Sequence, residues 1–217
     1  MKKVIYNRFD KKKLTNLPVE LFTGKIVIVQ SEDEAQKAVD YLLSQSVLGV
    51  DTETRPCFKK GHFHHVALLQ VATHDICFLF RLSQIGMTPS IIRLLEDKNV
   101  PKIGLSWSDD NMNLQKREVF IPGNFIDIQK IVALIGVEDQ SLQKLYANLF
   151  GKKISKRQRL TNWEASVLND KQRLYAATDA WACIKLYEEI IRLNETKDYE
   201  FVVVPETNND ENQTNAN

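Results

Sequence analysis

The sequence has almost no excess charge: 29 Lys and Arg residues stand against 28 Asp and Glu, a formal net charge of +1. Attraction to a polyanion through overall charge is therefore excluded, and any grip on nucleic acid has to come from a local patch. Cysteine is scarce as well. Cys57, Cys77 and Cys183 make an odd number, sit within or beside apolar runs and show no CxxC spacing. That argues against a disulfide framework and for reduced thiols in a cytoplasmic protein. No apolar stretch approaches the roughly 18 residues of a membrane span, and the charged start, Met1-Lys2-Lys3, leads into no continuous apolar segment, so neither membrane insertion nor secretion is expected. No internal repeat is visible.

What is present suffices for one globular domain with short extensions, since 43% of 217 residues are apolar. Residues 1–24 are basic and poorly periodic and read as an N-terminal arm. Residues 25–194 read as the folded domain. Residues 195–217 read as a C-terminal extension, disordered from about 206 because Glu206 to Asn217 is nearly devoid of apolar side chains. Within the domain, 25–30 reads as a strand, and Ser31-Glu-Asp-Glu34 is a capping box that opens a helix to about Ser44 with Ala35, Val39 and Leu42 on one face. The near-continuous apolar run 47–52 predicts a strand buried on both faces, at the centre of a mixed sheet. Segments 65–73 and 76–80 predict a hairpin turning at His74-Asp75, followed by a helix at 91–95 and a short strand at 101–104. From about Asp110 onward the pattern is mostly helical. Strands with one helix between them, then helices over the sheet, read as an α/β or α+β domain of at most three layers.

The chemistry sits in three places. Asp51-Thr52-Glu53 ends the central strand, and side chains at i and i+2 share a face about 6.6 Å apart. Tyr175-Ala-Ala-Thr-Asp179 lies in a helical stretch, where residues at i and i+4 are neighbours. Between them, Asp109 and Asp110 stand where a strand and loop hand over to a helix. An acid there can point into the same cleft. Converging carboxylate oxygens are what Mg²⁺ or Mn²⁺ prefers, and a close metal pair is suited to phosphodiester hydrolysis.

GVDTET, KIGLSWSDDNMNL and YAATDA, in this order and spacing, resemble the three motifs of the DEDD-type 3′→5′ exonucleases, and the tyrosine marks that family's tyrosine subgroup. The likeness covers roughly residues 25–192; it is strongest to the Werner-type exonuclease domains, with ribonuclease D-type enzymes next. It implies a ribonuclease H-like fold, a mixed β-sheet flanked by α-helices, with two Mg²⁺ or Mn²⁺ ions per site. Residue by residue, it implies that Asp51 bridges both metals, that Glu53 and Asp179 complete the first site, and that Asp110 supports the second. It also implies that Tyr175 holds the attacking water. Asp110 is preferred over Asp109 because Gly104 and Leu114 then fall on the motif's glycine and leucine, leaving Asp109 as a helix cap. Asp127 matches a position that is more often structural.

For the substrate, Lys152, Lys153, Lys156, Arg157 and Arg159 crowd into eight residues just before the third motif, either as a solvated loop or as a grip on phosphates. Thr52 and Thr54 of the first motif, with Leu69 and Gln70 of the facing strand, are expected to wall the terminal nucleotide. Trp107 and Trp163 either stack on bases or fill the core. His62, His64 and His65 near Cys57 fit no zinc-ligand spacing. The expected activity is removal of 5′-mononucleotides from single-stranded or 3′-recessed nucleic acid, DNA favoured over RNA, with a helicase, a repair partner or a second copy as a possible associate. The alternatives are an inactive nucleic-acid- or partner-binding module on the same fold, and a two-metal phosphatase of small molecules, which the basic run disfavours.

Overall fold

The computed structural model describes residues 2–59 and 61–205, so the tail expected to be disordered lies outside the described residues. In chain order the elements are β1 (Lys3–Tyr6), a 3₁₀ turn (Lys11–Asn16), β2 (Lys25–Val29), α1 (Glu32–Leu42), β3 (Leu48–Thr54), β4 (Val66–Ala72) and β5 (Ile76–Phe80). There follow α2 (Leu82–Ile85), α3 (Pro89–Glu96), β6 (Lys102–Gly104), α4 (Trp107–Gln115), β7 (Phe125–Asp127), α5 (Ile128–Ile131), a 3₁₀ turn (Val132–Ile135), α6 (Leu142–Phe150), α7 (Asp170–Thr196) and β8 (Tyr199–Val202).

The capping box at Ser31 acts where expected, and the structure adds two further local devices. Ser31 Oγ accepts the Glu34 N–H, and the Glu34 carboxylate accepts the Gln30 N–H, fixing the start of α1. The hairpin between β4 and β5 is held by Thr73, whose hydroxyl accepts the N–H groups of Asp75 and Ile76. Asn169 and Gln172 form a reciprocal capping box that starts α7.

Six strands form one mixed sheet in the order β2-β5-β4-β3-β6-β7, with β3 antiparallel to β4 and parallel to β6. Side-chain alternation divides the sheet's two faces. Val50, Leu69 and Val71 point toward α1 and α3 in one core. Leu68, Ala72 and Leu79 point the other way, against Tyr175, Ala176 and Ala180 of α7. Helices on both faces of a mixed sheet are the arrangement expected from the sequence.

Three elements differ from the sequence reading. β7 is a strand of three residues, too short to register against the helical signals around it. Helix α4 begins at Trp107, before both candidate acids. The arm and the C-terminal extension carry strands of their own: β1 pairs in parallel with β8, Ile5 is fully buried, and Asn148 of α6 binds both the N–H and the C=O of Tyr6.

Candidate active site

A close approach of helix to strand builds the site. Gly49 lies where α7 crosses β3; a Cβ there would sit 2.0 Å from the Ala180 carbonyl oxygen. Only a bare Cα lets the helix backbone come that near, and Ala180 is the neighbour of Asp179. Two and four residues further along β3, Asp51 and Glu53 emerge on the same face. Carboxylate oxygens of Asp51, Glu53 and Asp179 all lie within 4.8 Å of one another, among the described residues the one such cluster of metal-binding type.

The electrostatics are those of buried, crowded carboxyl groups. Burial, then the charges of Asp110 and Asp179, push Asp51 well above the usual carboxylate range. Burial first, and then the Asp51 charge, raise Glu53 to about 10. Burial likewise lifts Asp179 to about 7, against a lowering hydrogen bond from the Tyr175 hydroxyl. Tyr175 itself is pushed up, by burial and by the charge of Asp179. One Asp179 oxygen, Oδ1, is buried with no hydrogen-bond partner. An orphaned carboxylate oxygen beside two more acids fits a divalent cation, which satisfies it and lowers all three pKa values.

Asp110 stands apart from the triad. Its carboxylate accepts the Thr52 hydroxyl, and burial raises it to about 6. Its charge still reaches Asp51 and Glu53. Asp109 is exposed and takes only a long contact from the Ser106 hydroxyl, so it is not the helix cap. That work falls to Asp127, whose carboxylate accepts the N–H groups of Ser106, Trp107 and Gln129, each at 3.0 Å, tying the starts of α4 and α5 to β7.

A cleft of about 350 Å³ opens over the triad, walled by Thr52, Ser106, Gln143, Lys156, Arg159 and Tyr175, among others. The basic run does not act as one unit. Lys156 and Arg159 face the acids, where their charges lower Asp179 and Glu53 respectively. Lys152 instead pairs with Glu20 at 2.7 Å, and the Lys153 ammonium donates to the Thr15 carbonyl at 2.5 Å. Arg157 faces a neighbouring cavity.

Leu69 and Gln70 are fully buried, so neither offers a surface to the cleft: β4 is an interior strand, covered on both faces. Thr54 is half-buried beyond an irregularity in the β3–β4 register and does not line the cleft. Trp107 stacks on Phe125 at 4.8 Å, and Trp163 is wholly buried against Tyr175 at 6.0 Å. Both tryptophans are core. His64 pairs with Glu164 at 3.0 Å, and no histidine joins a metal-type cluster among the described residues. Sequence reasoning missed the polar wall of Gln129, Gln140 and Gln143, whose side chains are scattered along the chain without a motif.

A mixed sheet with a carboxylate triad at the end of its central strand, completed by a tyrosine-bearing helix, defines a ribonuclease H-like nuclease fold. A family model described as 3'-5' exonuclease matches residues 26–193, and the chain belongs to that family. It is 30% identical over 191 residues to the mouse bifunctional 3'-5' exonuclease/ATP-dependent helicase WRN, covering 83% of this chain and 14% of that protein. The chain thus spans about a seventh of that relative's length. In fold it is similar to the exonuclease domain of Aedes aegypti Nibbler, with a TM-score of 0.73 and 22% identity over 84% of this chain and 94% of that one. It is also similar to Escherichia coli RNase D, described as an exoribonuclease involved in structured RNA processing, with a TM-score of 0.69 and 18% identity over 80% of this chain and 45% of that one.

Proposed function

We propose that the protein is a metal-dependent 3′→5′ exonuclease that releases 5′-mononucleotides from single-stranded or 3′-recessed nucleic acid, with DNA favoured over RNA. The observation that carries the proposal is the Asp51, Glu53 and Asp179 triad with its orphaned oxygen, one helical turn from the Tyr175 hydroxyl. Asp51, Glu53 and Asp179 would hold one Mg²⁺ or Mn²⁺, and Asp51 with Asp110 a second. When bound, such a pair activates a water, clamps the scissile phosphate and offsets charge on the departing 3′-oxygen.

The chain's own residues do the rest. Tyr175 orients the attacking water by hydrogen bonding; burial keeps its phenol protonated, so it adds no further negative charge. Thr52 holds Asp110 by a hydrogen bond, fixing that carboxylate's reach. Lys156 and Arg159, on the rim of the cleft, contact phosphates and so bind without regard to sequence. The preference for DNA rests on the resemblance to Werner-type domains.

Matched 5′-labelled DNA and RNA oligomers, single-stranded and recessed, incubated with Mg²⁺ or Mn²⁺, are expected to shorten one nucleotide at a time from the 3′ end, DNA faster. Endonucleolytic products, or degradation from the 5′ end, would reject the reading. Mn²⁺-independent oligonucleotide binding without any turnover would select the inactive binding module instead.

A further inference from the structure

Beyond the loop at 153–158 lies a second, larger cavity of about 650 Å³. Lys156 and Tyr175 border both spaces, so this cavity and the carboxylate cleft meet beside the site. Leu14, Leu21 and Leu174 contribute apolar walls, and five cations, Lys11, Lys153, Lys156, Arg157 and Lys171, line it against one acid, Glu20. Glu20 is already paired with Lys152. Lys11, Arg157 and Lys171 are exposed, and among the described residues no acid pairs with their side chains.

The cations are brought together by tertiary structure. Lys11 belongs to the arm, outside the residues matched to the family. The arm is fixed by backbone hydrogen bonds between Lys153 and both Pro18 and Glu20, and by Leu14 packing against Ala147 of α6. Its Lys11 comes near enough to Lys156 that, after burial and Arg159, it helps push that ammonium's pKa down. Like charges gathered at fixed positions repel one another, and a polyanion between them turns that repulsion into attraction.

We propose that the polynucleotide strand whose 3′ end occupies the carboxylate cleft continues past Lys156 into this arm-lined cavity, where Lys11, Arg157 and Lys171 hold its phosphates. The identity of the strand rests on the exonuclease reading of the cleft. A volume of about 650 Å³, within the ~300–1,000 Å³ of ordinary ligand sites, has room for units of a single strand. The apolar walls give unpaired bases a surface, and binding through phosphates is indifferent to sequence.

The test is equilibrium binding in EDTA, where no hydrolysis interferes, read by fluorescence anisotropy with 5′-labelled oligothymidylate and oligouridylate. Lys11→Gln combined with Lys171→Gln is expected to weaken binding about tenfold and to make the slope of log K against log salt shallower by roughly 1.4, two single-strand phosphate contacts. Lys11→Glu with Lys171→Glu is expected to weaken it further, and circular dichroism checks that both variants remain folded. Native affinity and native salt slope in both folded variants, on DNA and RNA alike, would overturn the proposal. Turnover of a nitrophenyl ester of thymidine 5′-phosphate, small enough for the cleft alone, is measured in parallel on the unaltered protein. Its absence would count against the nuclease reading, while the binding result still decides the fate of the cavity.

Discussion

The two walls of the cleft are made differently. The acid wall stands on regular structure: Asp51 and Glu53 on the central strand, Asp179 and Tyr175 on a helix of 27 residues, locked together at Gly49. The cationic wall stands on a loop, and the loop is propped from behind by the arm through Lys152, Lys153 and Glu20. On the exonuclease reading, the groups proposed for chemistry stand on regular structure and those proposed to hold phosphates stand on a braced loop.

Substitutions can break that contrast, beginning with the largest effect. Asp51→Ala is expected to lower exonuclease turnover at least about 10³-fold with the fold intact, measured by gel assay beside circular dichroism. Tyr175→Phe, which removes only the oxygen that orients water, is expected to cost roughly 10²-fold in kcat with little change in KM. Gly49→Ala attacks the lock itself. Forcing a methyl group against the Ala180 carbonyl is expected to destabilise the protein by about 3 kcal/mol in urea unfolding, and to cost activity by pushing Asp179 away from Asp51.

The cationic wall should respond more gently. Lys156→Ala is expected to raise KM for an oligonucleotide roughly tenfold and leave kcat close to native, because a phosphate contact is lost and the acids stay in place. Lys152→Ala removes an ion pair that is partly open to solvent, so a stability change under about 1 kcal/mol is expected, with KM within about twofold of native. Equal effects from these two lysines would mean that the basic run works as one surface after all.

Acidity separates the walls again. In the metal-free chain Glu53 and Asp179 keep their protons to about 10 and 7, against ordinary values of 4.5 and 3.8. The unfolded chain gives up its protons first, so metal-free stability is expected to fall as pH rises from about 4 to 10, most steeply up to about 7, where both groups contribute. Cation binding displaces the retained protons, so apparent Mn²⁺ affinity should rise with pH, roughly tenfold per unit for each proton released. The melting temperature with and without Mn²⁺, at pH 6 and pH 8, checks this: a shift no larger at pH 8 would contradict it.

Much of the acid wall was legible because each part carries its own local signal. An apolar run followed by Asp-x-Glu gives the strand and its face, and Tyr-x-x-x-Asp gives one helical stripe. Asp110 could be chosen over Asp109 only through the spacing of Gly104 and Leu114, and the reason Asp109 is free of capping duty was invisible: Asp127 supplies the cap from β7, a strand too short to read. The basic run was legible as charge but not as orientation, since which lysine turns outward depends on the arm docking against 153, a contact between distant residues with no periodic signature. Leu69 and Gln70 were misplaced for a related reason. Alternation along a strand tells which side chains share a face, not whether that face remains open once a helix lies on it.

The parallel pairing of β1 with β8 gives the fold a clasp made from opposite ends of the described chain. A fragment trimmed to the family-matched stretch, 26–193, would discard both halves of that clasp together with the bracing behind Lys152 and Lys153. The carboxylate triad would survive the trimming, yet the arm that props the basic loop would be gone.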